Sequence, residues 1–140
     1  MVSDSPGFLP SLEFFGCGSA APGSSVAIIS LMHNYFPSRD ELSKHTIFPG
    51  VEAQTFWGEK LMVAVVDLAP HSIVTLHHHP HEQLGILIQG KAIFTIGGVE
   101  KTLSAGDCYY MPSNVPHKVV TLDEPSRAID VFCPPREEYQ

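Results

Sequence analysis

The stretch His71–Gly90, HSIVTLHHHPHEQLGILIQG, sets five histidines within eleven residues and then turns at once into an apolar run. His77 and His79 lie two apart, so on an extended backbone both imidazoles project from one face. Pro80 and His81 interrupt the run, and Gln83 opens the next strand, where alternation puts Gln83, Gly85 and Leu87 on one side. A second stretch, Gly106–His117 (GDCYYMPSNVPH), reads as another short strand that ends on a turn and a single histidine. Strands that close into a small barrel bring the three imidazoles and one amide oxygen to a common interior point. Such a set suits Fe, Mn, Ni, Cu, Co or Zn and leaves coordination positions open for substrate or water.

Outward from these stretches the texture is β. Strand-like runs are predicted at Gln54–Trp57, Leu61–Leu68, Ile73–Leu76, Gln83–Ile88, Ala92–Ile96, Glu100–Leu103, Cys108–Met111, Lys118–Leu122 and Ala128–Phe132. Turn residues close each of them, as at Gly97-Gly98 and Ser104-Ala105-Gly106-Asp107. Many short strands at near-regular spacing predict an all-β sandwich or barrel. Residues 1–25 are rich in Gly, Ser and Pro and read as a loosely held arm carrying Phe8, Leu9, Leu12, Phe14 and Phe15. Val26–Met32 reads as a short strand, and Ser38–Lys44 as a helical turn capped by Ser38. The expected organisation is an N-terminal extension over 1–45 and a barrel domain over 46–140.

Composition excludes several classes of function. With a net charge of −7 and only 8 Lys and Arg in 140 residues, no basic cluster exists to hold a phosphate backbone, so nucleic acid is not an expected partner. Val26–Met32 is too short to span a bilayer, and no membrane partner is expected. Cys17, Cys108 and Cys133 are odd in number and scattered, which predicts free thiols in a reducing compartment. The first basic residue is Arg39, so no secretory leader is expected either, and a cytoplasmic location follows.

The two histidine stretches resemble the paired motifs of the cupin family. The first cupin motif, G-x5-H-x-H-x3,4-E-x6-G, is matched by His71-x5-His77-x-His79-x3-Gln83-x6-Gly90, with His for the leading Gly and Gln for the Glu. The second, G-x5-P-x-G-x2-H-x3-N, is matched by Gly106-x5-Pro112-x-Asn114-x2-His117-x3-Thr121. Asn114 is a mild change, since Asn tolerates the left-handed turn that Gly fills. The resemblance implies an antiparallel jelly-roll β-barrel with one divalent transition metal inside, held by His77, His79, Gln83 and His117. His78 and His81 are expected to point outward or lie in the loop, and His71 to be structural. An amide at 83 in place of a carboxylate leaves the ion its full charge. That favours Lewis-acid work on a carbonyl or enol over oxygen chemistry. A register shift would instead offer the adjacent Glu82.

The segment HPHEQLG, together with Asp130-Val131-Phe132-Cys133-Pro134-Pro135-Arg136, is similar to small cupins of pectin and alginate catabolism, which convert 4,5-unsaturated uronates to linear keto acids. That resemblance implies an acid/base Asp130, a packing Phe132 and an Arg136 for the substrate carboxylate. Independently, Ala128, Asp130 and Phe132 share one face of the last strand, and a carboxylate on an apolar inner face needs a reason. The competing reading of the pair is an Asp130–Arg136 ion pair that closes the barrel mouth. Phe56, Trp57, Met62, Ile86, Ile88, Tyr109, Met111 and Phe132 are candidates for pocket lining or core, with Tyr109, Met111 and Phe132 assigned to the substrate pocket. An apolar wall brings the chain closer to the cupin cyclases and dehydratases that fold polyketides. An iron dioxygenase and a non-catalytic binding cupin are the other classes. The expectation is a lyase-, isomerase- or cyclase-type enzyme acting on a small molecule, and a homodimer.

Overall fold

The computed structural model describes residues 34–140, so the expected arm over 1–25, the strand Val26–Met32 and Cys17 lie outside the described residues. Ten strands follow one another: β1 Ser43–Phe48, β2 Val51–Trp57, β3 Met62–Leu68, β4 Ile73–His77, β5 Glu82–Gln89, β6 Lys91–Ile96, β7 Val99–Ser104, β8 Cys108–Met111, β9 His117–Thr121 and β10 Ser126–Cys133. All pair antiparallel, in a six-stranded sheet ordered β1-β2-β3-β10-β5-β8 and a four-stranded sheet ordered β4-β9-β6-β7. This is the jelly-roll barrel that the motifs implied.

Alternation explains why the strands stack this way. In β3 every second residue is buried, Met62, Ala64, Val66 and Leu68, and β10 does the same with Ser126, Ala128, Asp130 and Phe132. Period-2 burial on neighbouring strands gives one continuous inner wall. Met62, Leu87, Met111 and Val51 are the largest fully buried hydrophobic side chains among the described residues. The β6–β7 hairpin turns on Gly97 and Gly98, whose φ values of 57° and 82° are those a two-residue hairpin turn demands at both positions.

One element differs from expectation. The helical turn expected over Ser38–Lys44 is a 3-10 turn of three residues, Arg39–Glu41, whose Glu41 side chain accepts from the Ser38 backbone N–H at 2.7 Å. The chain then enters β1 at Ser43, a strand the sequence did not announce. Its polar run, SKHTIF, lacks a strong strand signature, and it is held by pairing with β2. The compact unit formed around the barrel spans Pro37–Gln140. No described helix is long and apolar enough to cross a membrane.

Candidate metal centre

The β4–β9 pairing sets His77 directly opposite His117. His79 follows β4 in the loop before β5, and its carbonyl accepts from the backbone N–H of Asn114 at 2.7 Å, which ties the two histidine stretches together. Asn114 adopts φ 62°, the left-handed turn conformation expected of it. One ring nitrogen from each of His77, His79 and His117 lies within 4.8 Å of the others. Ligand atoms bound to one ion at about 2.1 Å sit roughly 3–4 Å apart, so the cluster is close to coordination spacing.

The hydrogen bonds decide which nitrogens these are. Nδ1 of His77 donates to the Thr75 carbonyl at 2.8 Å, Nδ1 of His79 to the His81 carbonyl at 3.0 Å, and Nδ1 of His117 to the Val115 carbonyl at 2.8 Å. A carbonyl only accepts, so each Nδ1 carries the proton and each Nε2 presents a lone pair. Backbone carbonyls in this position are the usual supports of metal-binding imidazoles. Burial lowers the proton affinity of all three rings. His79 is brought to about 4, first by desolvation and then by the charges of Arg136 and His117.

Gln83 completes the set. It is buried on the inner face of β5, and its Oε1 lies 3.2 Å from His79 Nε2. Its side chain also hydrogen-bonds the Asp130 carboxylate, which can only accept, so the amide NH2 is committed there and Oε1 faces the histidines. A neutral His79 therefore sets a lone pair against a lone pair. A cation between them turns that repulsion into coordination. The donor set fits a divalent transition metal, with three imidazole nitrogens and one amide oxygen as ligands.

Behind Gln83 sits Asp130, on β10. Asp130 pairs across to Gly85 of β5, and Gly85 pairs in turn with Tyr109 of β8. The Tyr109 hydroxyl reaches over the glycine and donates to Asp130 Oδ1 at 2.6 Å. A Cβ at Gly85 would lie 2.2 Å from the Tyr109 ring and 2.4 Å from Asp130 Oδ1, so only glycine allows the contact. Burial raises Asp130 to about 6, against the opposing pull of Tyr109, Gln83 and Arg136. Burial and the neighbouring carboxylate push Tyr109 far upward, and it remains a donor.

These groups line one cavity open to solvent at its mouth, with His77, Gln83, His117, Asp130, Tyr109 and Arg136 among its polar lining. Much of the remaining wall is hydrocarbon, including Phe94, Val119 and Ala128. Met111 and Phe132 are part of that wall, whereas Phe56, Trp57 and Ile88 are exposed and Met62 belongs to the core. Glu82 is exposed and bonds Tyr110 outside the barrel, so the register offers Gln83 inward. His78 is exposed, and His71 sits at a turn with φ 58°, 3.5 Å from Asp123. His81 lies beside the centre with a buried Nδ1 that has no partner among the described residues. The Asp130–Arg136 ion pair weighed from sequence is not formed, because Arg136 pairs with Glu138.

A cupin domain family (Cupin_2) matches residues 64–132. The pectin degradation protein KdgF of Dickeya dadantii (strain 3937) is 33% identical over 110 residues, covering 77% of this chain and 99% of that protein. This chain belongs to the cupin family. Among solved structures, an RmlC-like cupin from Shewanella frigidimarina superposes with a TM-score of 0.70 at 26% identity, covering 77% of this chain and 97% of that one. KdgF from Halomonas sp. superposes at 0.69 with 27% identity, covering 77% and 100%.

Sequence reading of this cupin missed the wall contributed by Ile47, Phe48 and Tyr139, which flank the mouth far from either motif in the chain. It also missed the Tyr109–Asp130 bond, which depends on a three-strand register. Gly85→Ala is expected to break that bond by overpacking and to destabilise the fold by about 1–3 kcal/mol. Chemical denaturation of Gly85→Ala, Tyr109→Leu and Gly85→Ala/Tyr109→Leu, which removes the ring that the new methyl would meet, measures this. Relief of much of the loss in the double variant is expected; full additivity would mean that the glycine does not serve this contact.

Proposed function

We propose that this cupin is a metal-dependent, non-redox enzyme that ketonises 4,5-unsaturated uronates, an isomerase-type reaction. The observation that carries the reading is a buried carboxylate, Asp130, held between Tyr109 and Gln83 in the cavity that is also lined by His77, His117 and Arg136. The likeness to KdgF over nearly the whole of that protein supports the same reading.

Ketonisation opens the hemiacetal, breaking the C1–O5 bond as the C1 hydroxyl proton is lost and the ring oxygen becomes the C5 enol, and then moves the enol proton to C4, with no outside oxidant or reductant. A single carboxylate in reach of both positions can do this. Asp130 fills that role, and Tyr109 and Gln83 keep its carboxylate in one orientation. Arg136 offers the cationic fork for the uronate carboxylate. The apolar wall limits water around the reacting atoms. A divalent ion held by His77, His79, Gln83 and His117 supplies Lewis-acid polarisation of the substrate oxygen when bound. Asp130→Asn is expected to lower kcat on a 4,5-unsaturated uronate at least ~10²-fold while metal content stays unchanged. Retained turnover would remove Asp130 from the mechanism.

We infer further that two copies pair through the outer face of the six-stranded sheet. Phe56, Val63, Val131, Leu84 and Tyr110 are successive register partners and form one outward row. Val65, Ile129, Ile86 and Cys108 form the next. Phe56, Leu84 and Tyr110 are 41%, 55% and 49% exposed. From strand and residue spacings the two rows cover on the order of 300 Å2 in flat projection. Side-chain relief and the residues flanking the rows add to this towards the roughly 800 Å2 per partner of a standard interface. The two rows carry no charge that would select a charged partner, and apolar contact offsets the repulsion of two chains at −7 each. Cys108 and Cys133 are both free, which supports a reducing, cytoplasmic setting. Light scattering at micromolar concentration is expected to give twice the 15.3 kDa chain mass, with Cys108 slow to alkylate, and Leu84→Arg is expected to give the monomer. A wild-type mass of one chain would contradict pairing.

A further inference from the structure

An arginine that anchors a carboxylate must present a fixed edge, yet its free side chain carries about 2 kcal/mol of rotamer entropy. Here Arg136 is held on three sides. Its Nε and Nη2 both donate to Glu138 Oε1, at 2.9 and 2.6 Å. The Tyr139 ring stacks against the guanidinium with its centroid 4.3 Å from Cζ, and the Phe132 ring lies at 5.4 Å. The arginine side chain is only 11% exposed as a result.

Tyr139 is itself pinned to the barrel. Its carbonyl accepts from Thr55 Oγ1 at 2.7 Å and from His45 Nε2 at 3.1 Å, and the His45 and Tyr139 rings stand 5.3 Å apart. Thr55 belongs to β2 and is fully buried, and His45 belongs to β1. The short turn Glu137–Tyr139 thus carries a rigid path from two strands to the guanidinium.

A guanidinium has five N–H donors. Glu138 takes the one on Nε and one on Nη2 through a single oxygen. What is left includes the Nη1/Nη2 edge, which matches the two oxygens of a carboxylate. Among the described residues no protein group bonds Nη1, and Arg136 lines the same cavity as Asp130 and His77. We infer that Glu138 and Tyr139 are positioning residues that hold Arg136 with this edge ready for one substrate carboxylate, and so set the preference for an acid over a neutral sugar. The inference rests on the uronate reading of the site, and it adds residues outside both histidine stretches to that reading.

Calorimetry with the metal-loaded protein tests this with two unreactive probes, D-galacturonate and D-galactose, which differ by the carboxylate. Galacturonate is expected to bind at least about tenfold more tightly than galactose. Glu138→Ala is expected to weaken galacturonate by about tenfold and to leave galactose affinity, metal content and thermal midpoint unchanged, and Tyr139→Ala to weaken galacturonate by about tenfold more than it weakens galactose, with metal content unchanged. Glu138→Gln keeps an acceptor oxygen and is expected to stay within a few-fold of wild type. In an Arg136→Lys background the same changes should have no further effect, because the positioned group is gone. Tighter galacturonate binding in Glu138→Ala would overturn the inference by making Glu138 a competing carboxylate. Unchanged binding in both alanine variants, or a wild type that does not distinguish the two sugars, would overturn it as well. Turnover of an unsaturated uronate at wild-type KM in those variants would remove the clamp and leave the reaction standing. A wild type that binds galacturonate through the clamp but turns over no uronate would remove the reaction and leave the clamp.

Discussion

The carboxylate of Asp130 lies inside a barrel whose wall is largely hydrocarbon, and an ionised group there is tolerated only where donors surround it. That constraint organises three adjacent strands at one side of the six-stranded sheet. β10 supplies the carboxylate, β5 supplies Gln83 and the gap at Gly85, and β8 supplies the Tyr109 hydroxyl. Removing any one partner leaves a buried polar group unpaired, which costs about 1–3 kcal/mol or more for a charged one. The inner wall is therefore both a packing surface and a support for one buried carboxylate.

Gln83 joins this support to the histidine centre. Its amide NH2 faces Asp130 and its Oε1 faces His79, so one side chain reads the charge on both sides. A glutamate in this place would set a second negative charge beside Asp130 and could not donate to it. The amide thus lets the histidine cluster and a buried carboxylate sit as neighbours, and the three Nδ1 contacts to backbone carbonyls hold the imidazoles in one tautomer.

Much of the barrel and the centre was legible in the sequence because both follow from local spacing. Period-2 runs located nine strands, and the two spaced motifs located His77, His79, Gln83 and His117. What was not legible depends on contacts between distant segments. β1 is a polar run that becomes a strand only against β2. The Tyr109–Asp130 bond requires knowing that Gly85 stands between them. Phe56, Trp57 and Ile88 were ambiguous between wall and surface because β2 ends on two adjacent aromatics, one for each face, and β5 carries Leu84, Ile86 and Ile88 on one face and Leu87 on the other, so alternation alone does not choose. Glu138, not Asp130, takes the Arg136 fork, since the chain after β10 turns back on itself within two residues.

Elemental analysis of the protein purified without a metal-chelating tag, beside His117→Ala, tests the central claim most directly. The account predicts about one equivalent of a divalent transition metal per chain in the wild type and its loss in the variant. A wild-type protein that stays empty when Mn, Fe, Co, Ni, Cu and Zn are each offered would contradict it.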